Sequence, residues 1–447
     1  MRGPTLRFVI AVNGSRGDAQ PAVALAAELL GRGHGVTLAT PPDLAGFGSG
    51  AGVPTEVYGE STRSLLDSGL VREDMRSKNP RTRLRAVSAM SVRGGRTMQQ
   101  RLLELADGAD AIVASSAGQE RAHNVSAVLG IPHIPLHYCP IRRNSSVSLL
   151  AHVGVDAPAV VNDLSWRVAE RALWLATRSA ENTLRTDLGL SPLNRPYSEL
   201  IARTGVPEIQ AYDPALFEGL AAQWGPRRPL VGFFTLAAAQ RAGVGDAGLD
   251  GASGAGTLGE WLDAGDAPVY VGFGSMLPAD PDGLADAFRT AAQRLGIRLL
   301  VSGGWSGFMS SESTSGAMIS GDAVHVVGHV DHDTVLPRCR AAVHHGGAGS
   351  VAAGLRAGLP TLVTWVGADQ PIWGRAVSKA RVGATLPMAR VTAKSLIPAL
   401  EQILDADTRQ RSADLRRRLV PPGEAVRSAA DIAERAAGAG ATGRRAD

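Results

Sequence analysis

The stretch 343–360, VHHGGAGSVAAGLRAGLP, with ADQP following at 368–371, decides how this chain is read. A short apolar run, Ala341 to Val343, reads as a buried strand. It leads into two histidines, then Gly346, Gly347 and Gly349, then Ser350 and a helix of small residues. The glycines let the backbone turn tightly and bring its N–H groups close to a ligand. The helix behind them points its positive end at the same spot. That combination suits a diphosphate. The stretch carries neither the G-x-G-x-x-G dinucleotide pattern nor the Walker pattern ending in Gly-Lys-Ser/Thr. A histidine ahead of the glycine loop fits a departing diphosphate better than a retained cofactor. His345 is the residue expected on the phosphates. His344, one step earlier, should point the other way and pack.

Working outward, the strand VYVGF (269–273) runs into Gly274 and Ser275, a second strand end where a hydroxyl can donate to phosphate. Asp369 and Gln370 follow the strand Thr361 to Val366. A carboxylate beside an amide can hold adjacent sugar hydroxyls, or Asp369 can simply cap a helix beginning near Pro371. The first half opens with a strand, Leu6 to Val12, and the glycine-punctuated loop NGSRGDAQP (13–21), followed by a helix from Pro21 to about Gly31. Asp18 on that loop reads either as a helix cap or as a base taking a proton from an acceptor hydroxyl. Paired with a phosphate site across a cleft, the base reading gains.

The chain has 447 residues, enough for two domains. Hydrophobic residues make up 44% and charged residues 20%, which fits a globular protein. Apolar runs fall short of the ~18 residues a membrane span needs. The N-terminus lacks the long apolar region of a signal peptide, so a cytoplasmic protein is expected. The net charge is +4, the arginines are scattered and aromatics are 4%, which argues against a nucleic-acid groove. Cys139 and Cys339 make no metal-ligand spacing and fit a reducing compartment.

Short β-rich runs alternate with helical patterns in both halves, the signature of parallel sheets. The expected architecture is α/β: two Rossmann-like, doubly wound domains facing a cleft. An acceptor domain should cover 1–237, and a flexible linker 238–257, which holds six glycines. A nucleotide-sugar domain should cover 258–425. A last helix and frayed tail, 426–447, should return to the first domain. Residues 160–187 read as a helix with Trp166, Leu173, Trp174 and Leu184 buried. SSESTSGA (310–317) reads as a polar loop.

The pattern GSRGDAQPAVALAAELLGRGHGVTLATP (14–41), together with HHGGAGS and ADQPIWG, resembles the family 1 glycosyltransferases. The resemblance points to the bacterial branch that glycosylates natural products and to the related sterol glucosyltransferases. It runs from residue 6 to about 435. The acceptor region, about 55–110 and 140–220, has no clear counterpart. The resemblance implies the two-domain GT-B arrangement, with the donor nucleotide on the second domain. It implies that His345 and the backbone of Gly347, Ala348, Gly349 and Ser350 contact the diphosphate, helped by Gly274 and Ser275, and that Asp369 and Gln370 hold the sugar. GHVDHDTVLPRC (328–339) matches the family's stretch that cradles the base, through His329 and the backbone of Val330, with Trp305 flanking. Many members carry Trp-x-Pro-Gln where this chain has His329 to His332. Ser15 and Arg16 join the donor-binding set from the first loop.

Asp18 falls where many members carry a catalytic histidine, and in the glycopeptide and sterol branches aspartate is usual there. The family's orienting aspartate is replaced near Ser115 and Ser116, in keeping with Asp18 acting without a histidine. The implied reaction is inverting transfer of a hexose from a UDP- or dTDP-sugar to a lipophilic acceptor, with no metal and no cofactor besides the donor. Two other readings stay open: a nucleotide-sugar epimerase of similar build, and a non-catalytic partner subunit. A degenerate partner should have lost Asp18, His345 or Gln370, and all three are present.

Overall fold

The computed structural model of the chain describes residues 5–61, 79, 82, 94–150, 157–245, 249, 252–253, 256–274, 276, 278–303 and 323–444. Ser275, Trp305 and the 310–317 stretch lie outside the described residues.

Two six-stranded sheets organise the molecule. The first contains β1 (Arg7–Ala11), β2 (Gly35–Thr40), β3 (Thr55–Val57), β4 (Ala111–Ser115), β5 (His133–His137) and β6 (Ile209–Gln210), in the order β3-β2-β1-β4-β5-β6. A short ribbon pairs β7 (Ala252–Ser253) with β8 (Gly256–Thr257). The second sheet contains β9 (Val269–Gly272), β10 (Leu299–Ser302), β11 (Val324–Val327), β12 (Ala341–His344), β13 (Thr361–Trp365) and β14 (Gly383–Pro387), in the order β11-β10-β9-β12-β13-β14. All ladders in both large sheets are parallel. Both therefore carry the 3-2-1-4-5-6 strand order of a doubly wound nucleotide-binding fold. Parallel strands are covered on both faces, which explains runs such as AIVAS in β4 with every residue buried.

Four features depart from the sequence expectations. The first helix spans Arg16–Gly31, with Pro21 inside it, because Ser15 caps it six residues ahead of the proline. A helix, Ala238–Gly243, occupies the start of the glycine-rich stretch and packs so closely that a Cβ on Gly243 would lie 2.1 Å from the Gly50 carbonyl oxygen. In the 28-residue helix Ala159–Thr186, Trp166, Trp174 and Leu184 are buried but Leu173 is 53% exposed. The last helix, Pro422–Arg444, continues through the expected frayed tail.

That last helix crosses back to the first domain. Ala425, Val426, Ala429, Ala430, Ile432, Ala433 and Ala437 join the core beneath β1 and the first helix. Arg32 reaches Asp431 at 2.6 Å and Glu434 at 3.0 Å. Such partly exposed ion pairs contribute about 0–1 kcal/mol each, so the buried alanine, valine and isoleucine face supplies most of the hold. The two domains also share one apolar cluster. Tyr212, Phe217 and Phe233 of the first domain surround Trp373 of the second, which is 0% exposed.

Candidate functional site

The strand order fixes where the site lies. In each sheet the order reverses between two central strands, β1 and β4 in the first and β9 and β12 in the second. Ligands bind in the crevice beyond the carboxyl ends at such a switch point. The loops leaving β1, β4 and β5 carry Asn13–Asp18, Ser116–Gly118 and Tyr138–Cys139. Those leaving β9, β12 and β13 carry Phe273–Gly274, His345–Gly347 and Val366–Asp369.

In the second domain, β12 ends at His344, opposite Gly272 of β9. His344 is buried, and its Nδ1 accepts the Gly346 N–H at 3.1 Å. It shapes the loop from behind. His345, the next residue, is half-buried at the start of the turn. Gly346 has φ +90°, and a Cβ there would meet Val363 at 2.5 Å. A Cβ on Gly347 would lie 2.6 Å from His345 Nε2, so the glycine seats the imidazole beside the helix start. That helix, Ala348–Arg356, has Gly347 as its N-cap, no side-chain cap and no acidic residue in its first turn. Its first N–H groups therefore have no carboxylate on them, and its positive end is open to an anion. Burial lowers the His345 imidazole to about 4, which keeps it neutral at neutral pH. Gly274, at φ +58°, borders the His345 ring.

The first domain builds the opposite kind of helix start. Asp18 is not ahead of the helix but in its first turn, at N3. Its Oδ2 accepts the Ser15 N–H at 2.8 Å and the Ser15 hydroxyl at 3.1 Å. Ser15 thus donates to Asp18, and the Arg16 guanidinium stacks 4.8 Å over the Phe47 ring. Asp18 is half-buried. Burial pushes its carboxyl from 3.8 up to about 6; the Ser15 hydrogen bonds oppose the rise and the Asp369 carboxylate adds to it. Cap and titrating carboxyl are the same group. Asn13 N–H reaches the Ser115 hydroxyl at 3.4 Å, at the place where the family's orienting aspartate would stand.

Asp18 and Asp369 face each other across the cleft closely enough to act on each other electrostatically. Asp369 accepts the Trp373 indole N–H at 2.9 Å. Its carboxyl is also held above the ordinary value, by burial first. Gln370 is committed differently from the sequence expectation. Its Oε1 accepts the Val366 N–H at 2.7 Å and the Gly367 N–H at 3.3 Å, and its Nε2 reaches Met276 Sδ at 3.4 Å. The amide oxygen holds the loop, which leaves the remaining amide N–H for a ligand. Ala368, at φ +55°, makes the turn that brings Asp369 forward.

His329 is exposed, and Val330 is buried in the core beside β9, so Val330 offers only backbone to a ligand. Asp331, just after them, holds Arg241 of the helix Ala238–Gly243, and Asp333 pairs with Arg356 of its own domain and accepts the Thr235 hydroxyl at 2.7 Å, which ties this segment to the end of the first domain.

A cavity of about 500 Å³ opens in the first domain, in the region without a sequence counterpart. Asn13 and Ser116, after β1 and β4, are among its lining residues. Met98, Leu173, Trp174 and Tyr197 supply apolar wall, and the buried Arg121–Glu181 ion pair also lines it. Sequence reasoning missed this cavity. Its walls come from residues far apart in the chain, and only the partial exposure of an apolar helix face at Leu173 marks it.

The comparisons agree with this geometry. Residues 8–90 match the model of the glycosyltransferase family 28 N-terminal domain, and residues 309–426 match the erythromycin biosynthesis protein CIII-like C-terminal domain. An uncharacterized glycosyltransferase of Mycobacterium tuberculosis is 37% identical over 97% of this chain and 99% of its own length. A sterol 3-beta-glucosyltransferase of Arabidopsis thaliana is 29% identical over 90% of this chain and 61% of its own length. The solved structure of glycosyltransferase VinC in complex with dTDP superposes with a TM-score of 0.63 at 16% identity, covering 96% of this chain and all of that one. The two facing 3-2-1-4-5-6 domains and these relatives together establish that the chain belongs to the glycosyltransferases and carries the GT-B fold.

Proposed function

We propose that the protein is an inverting, metal-independent glycosyltransferase. It moves a hexose from a UDP- or dTDP-sugar to a hydroxyl of a lipophilic aglycone, of polyketide, macrolide, peptide or sterol-like character. The observation that carries this reading is the placement of Asp18. Its carboxyl, pushed up to about 6, faces Asp369 of the second domain, and it follows β1, as does Asn13, which lines the 500 Å³ cavity.

The acceptor occupies the cavity and presents its oxygen at the Asp18 loop. That oxygen bonds to the anomeric carbon as the bond from that carbon to the phosphate oxygen breaks. The bonding pair leaves with the diphosphate, and the acceptor proton goes to Asp18. The leaving charge meets the free N–H groups of Gly347 to Ser350 and the His345 imidazole, fixed dipoles that need no reorganisation. Asp369 holds sugar hydroxyls from the second domain. Ser275, Trp305, His329 and the Val330 backbone complete the donor side in this reading, with Ser15 and Arg16 at its edge.

The test supplies UDP-glucose and dTDP-glucose with a panel of hydroxylated aglycones, in excess chelator, and reads products by mass and anomeric configuration. A β-glycoside from the α-linked donor, undiminished by chelator, supports the reading. An α-glycoside, or activity lost to chelator and restored by a divalent ion, overturns it.

A further inference from the structure

The donor sugar reads its grip from Asp369, and the structure shows what fixes Asp369. The carboxylate follows a residue in the left-handed region, Ala368, so the chain alone leaves its direction open. Trp373 lies one helical turn on, where an i, i+4 side chain can reach back. Its indole N–H donates to Asp369 Oδ2 at 2.9 Å. The ring cannot swing away. Tyr212 stands at 6.1 Å and 84°, Phe217 at 5.4 Å and 70°, and Phe233 at 5.9 Å and 44° between ring centroids and planes. All three belong to the opposite domain.

The transfer chemistry itself calls for no indole donor at this point, so the Trp373 N–H acts on the carboxylate and not on the substrate.

We propose that Trp373 is a positioning residue for Asp369, so that the sugar-holding carboxylate of the second domain is aimed by contacts made with the first. The inference rests on the reading of Asp369 as the group that holds the sugar. It means that sugar recognition, unlike diphosphate recognition, depends on the packing of one domain against the other. The His345 loop is braced within its own sheet by His344 and Val363. Asp369 is braced across the interface.

The test compares calorimetric affinities for UDP and UDP-glucose, and for dTDP and dTDP-glucose, in the full-length protein. The ratio within each pair isolates the sugar. Trp373→Phe keeps an aromatic ring but removes the donor. It should leave the affinity for the free diphosphate within about twofold and cut the sugar ratio about fivefold. In an Asp369→Asn background the same change should have no further effect on the ratio. Should Trp373→Phe fail to fold cooperatively, Phe233→Leu, which loosens the first domain's packing on the ring and leaves the indole N–H in place, should cut the ratio about twofold with the diphosphate affinity unchanged, and an unchanged ratio would count against the proposal. An equal loss of diphosphate and sugar affinity, or the full Trp373→Phe effect persisting without Asp369, would overturn the proposal. If Asp369→Asn alone leaves the ratio unchanged, the fault lies with Asp369 as the sugar-holding group.

Discussion

The two domains share one strand order and differ in how they begin the helix that faces the cleft, which follows β1 in the first domain and β12 in the second. In the first domain the helix start carries a carboxylate, Asp18, bound to Ser15. In the second it carries glycines, no acid and no side-chain cap. A helix N-terminus attracts negative charge in both cases. One domain satisfies that attraction with its own side chain, and the other leaves it for a ligand. The same backbone scaffold therefore yields a proton acceptor on one side of the cleft and an anion cradle on the other. The difference lies in which of the two switch-point strands feeds the cleft helix and in the few residues that start that helix.

The contrast makes separable predictions. Asp18→Asn keeps the size and most of the capping of the native side chain but cannot take a proton. Transfer should fall by about 10²-fold or more, while calorimetric affinity for the nucleoside diphosphate stays within about twofold. A near-native rate would reduce Asp18 to a cap. His345→Ala should do the reverse and act on binding. The free diphosphate should bind about ten- to a hundredfold more weakly, the loss expected for a hydrogen bond to a charged group. Unchanged affinity would move the phosphate site elsewhere. The smallest effect should come from Ser15→Ala. Ser15 hydrogen bonds favour the charged form of Asp18, so losing the hydroxyl should raise the carboxyl further and shift the acid limb of the rate profile upward. A downward shift, or none, would mean that the Ser15 hydroxyl does not tune the base.

Much of this contrast was legible in the sequence, because it is local. The turn at Gly346 and Gly347, the small-residue helix and the Asn13–Pro21 loop are each contiguous, and each has a physical signature. The position of Asp18 was half legible. Pro21 drew the helix start too late, although Ser15 with an acid three residues on is itself a start signal. What could not be read depends on contacts between distant segments. Trp373 looks like an ordinary core residue until Tyr212, Phe217 and Phe233 surround it from the other domain. Gln370 looks like a ligand group until its oxygen is found on the Val366 and Gly367 N–H groups. The cavity wall draws on segments from Asn13 to Ser198, and no single stretch announces it. Leu173 misled because a helix lining a cavity keeps an apolar face that is not buried.

The most direct test of Asp18 as the base is the pH dependence of transfer, measured as kcat/KM. Burial and the facing Asp369 hold the Asp18 carboxyl at about 6, so it gains its proton well above the range of an exposed aspartate. Below that pH the base is occupied, and kcat/KM should drop about tenfold per unit. The limb should lie near pH 6, and it should vanish from the residual activity of Asp18→Asn. A profile that stays flat from pH 7 down to about 4.5, or a limb that persists unchanged in Asp18→Asn, would contradict Asp18 as the group that takes the acceptor's proton.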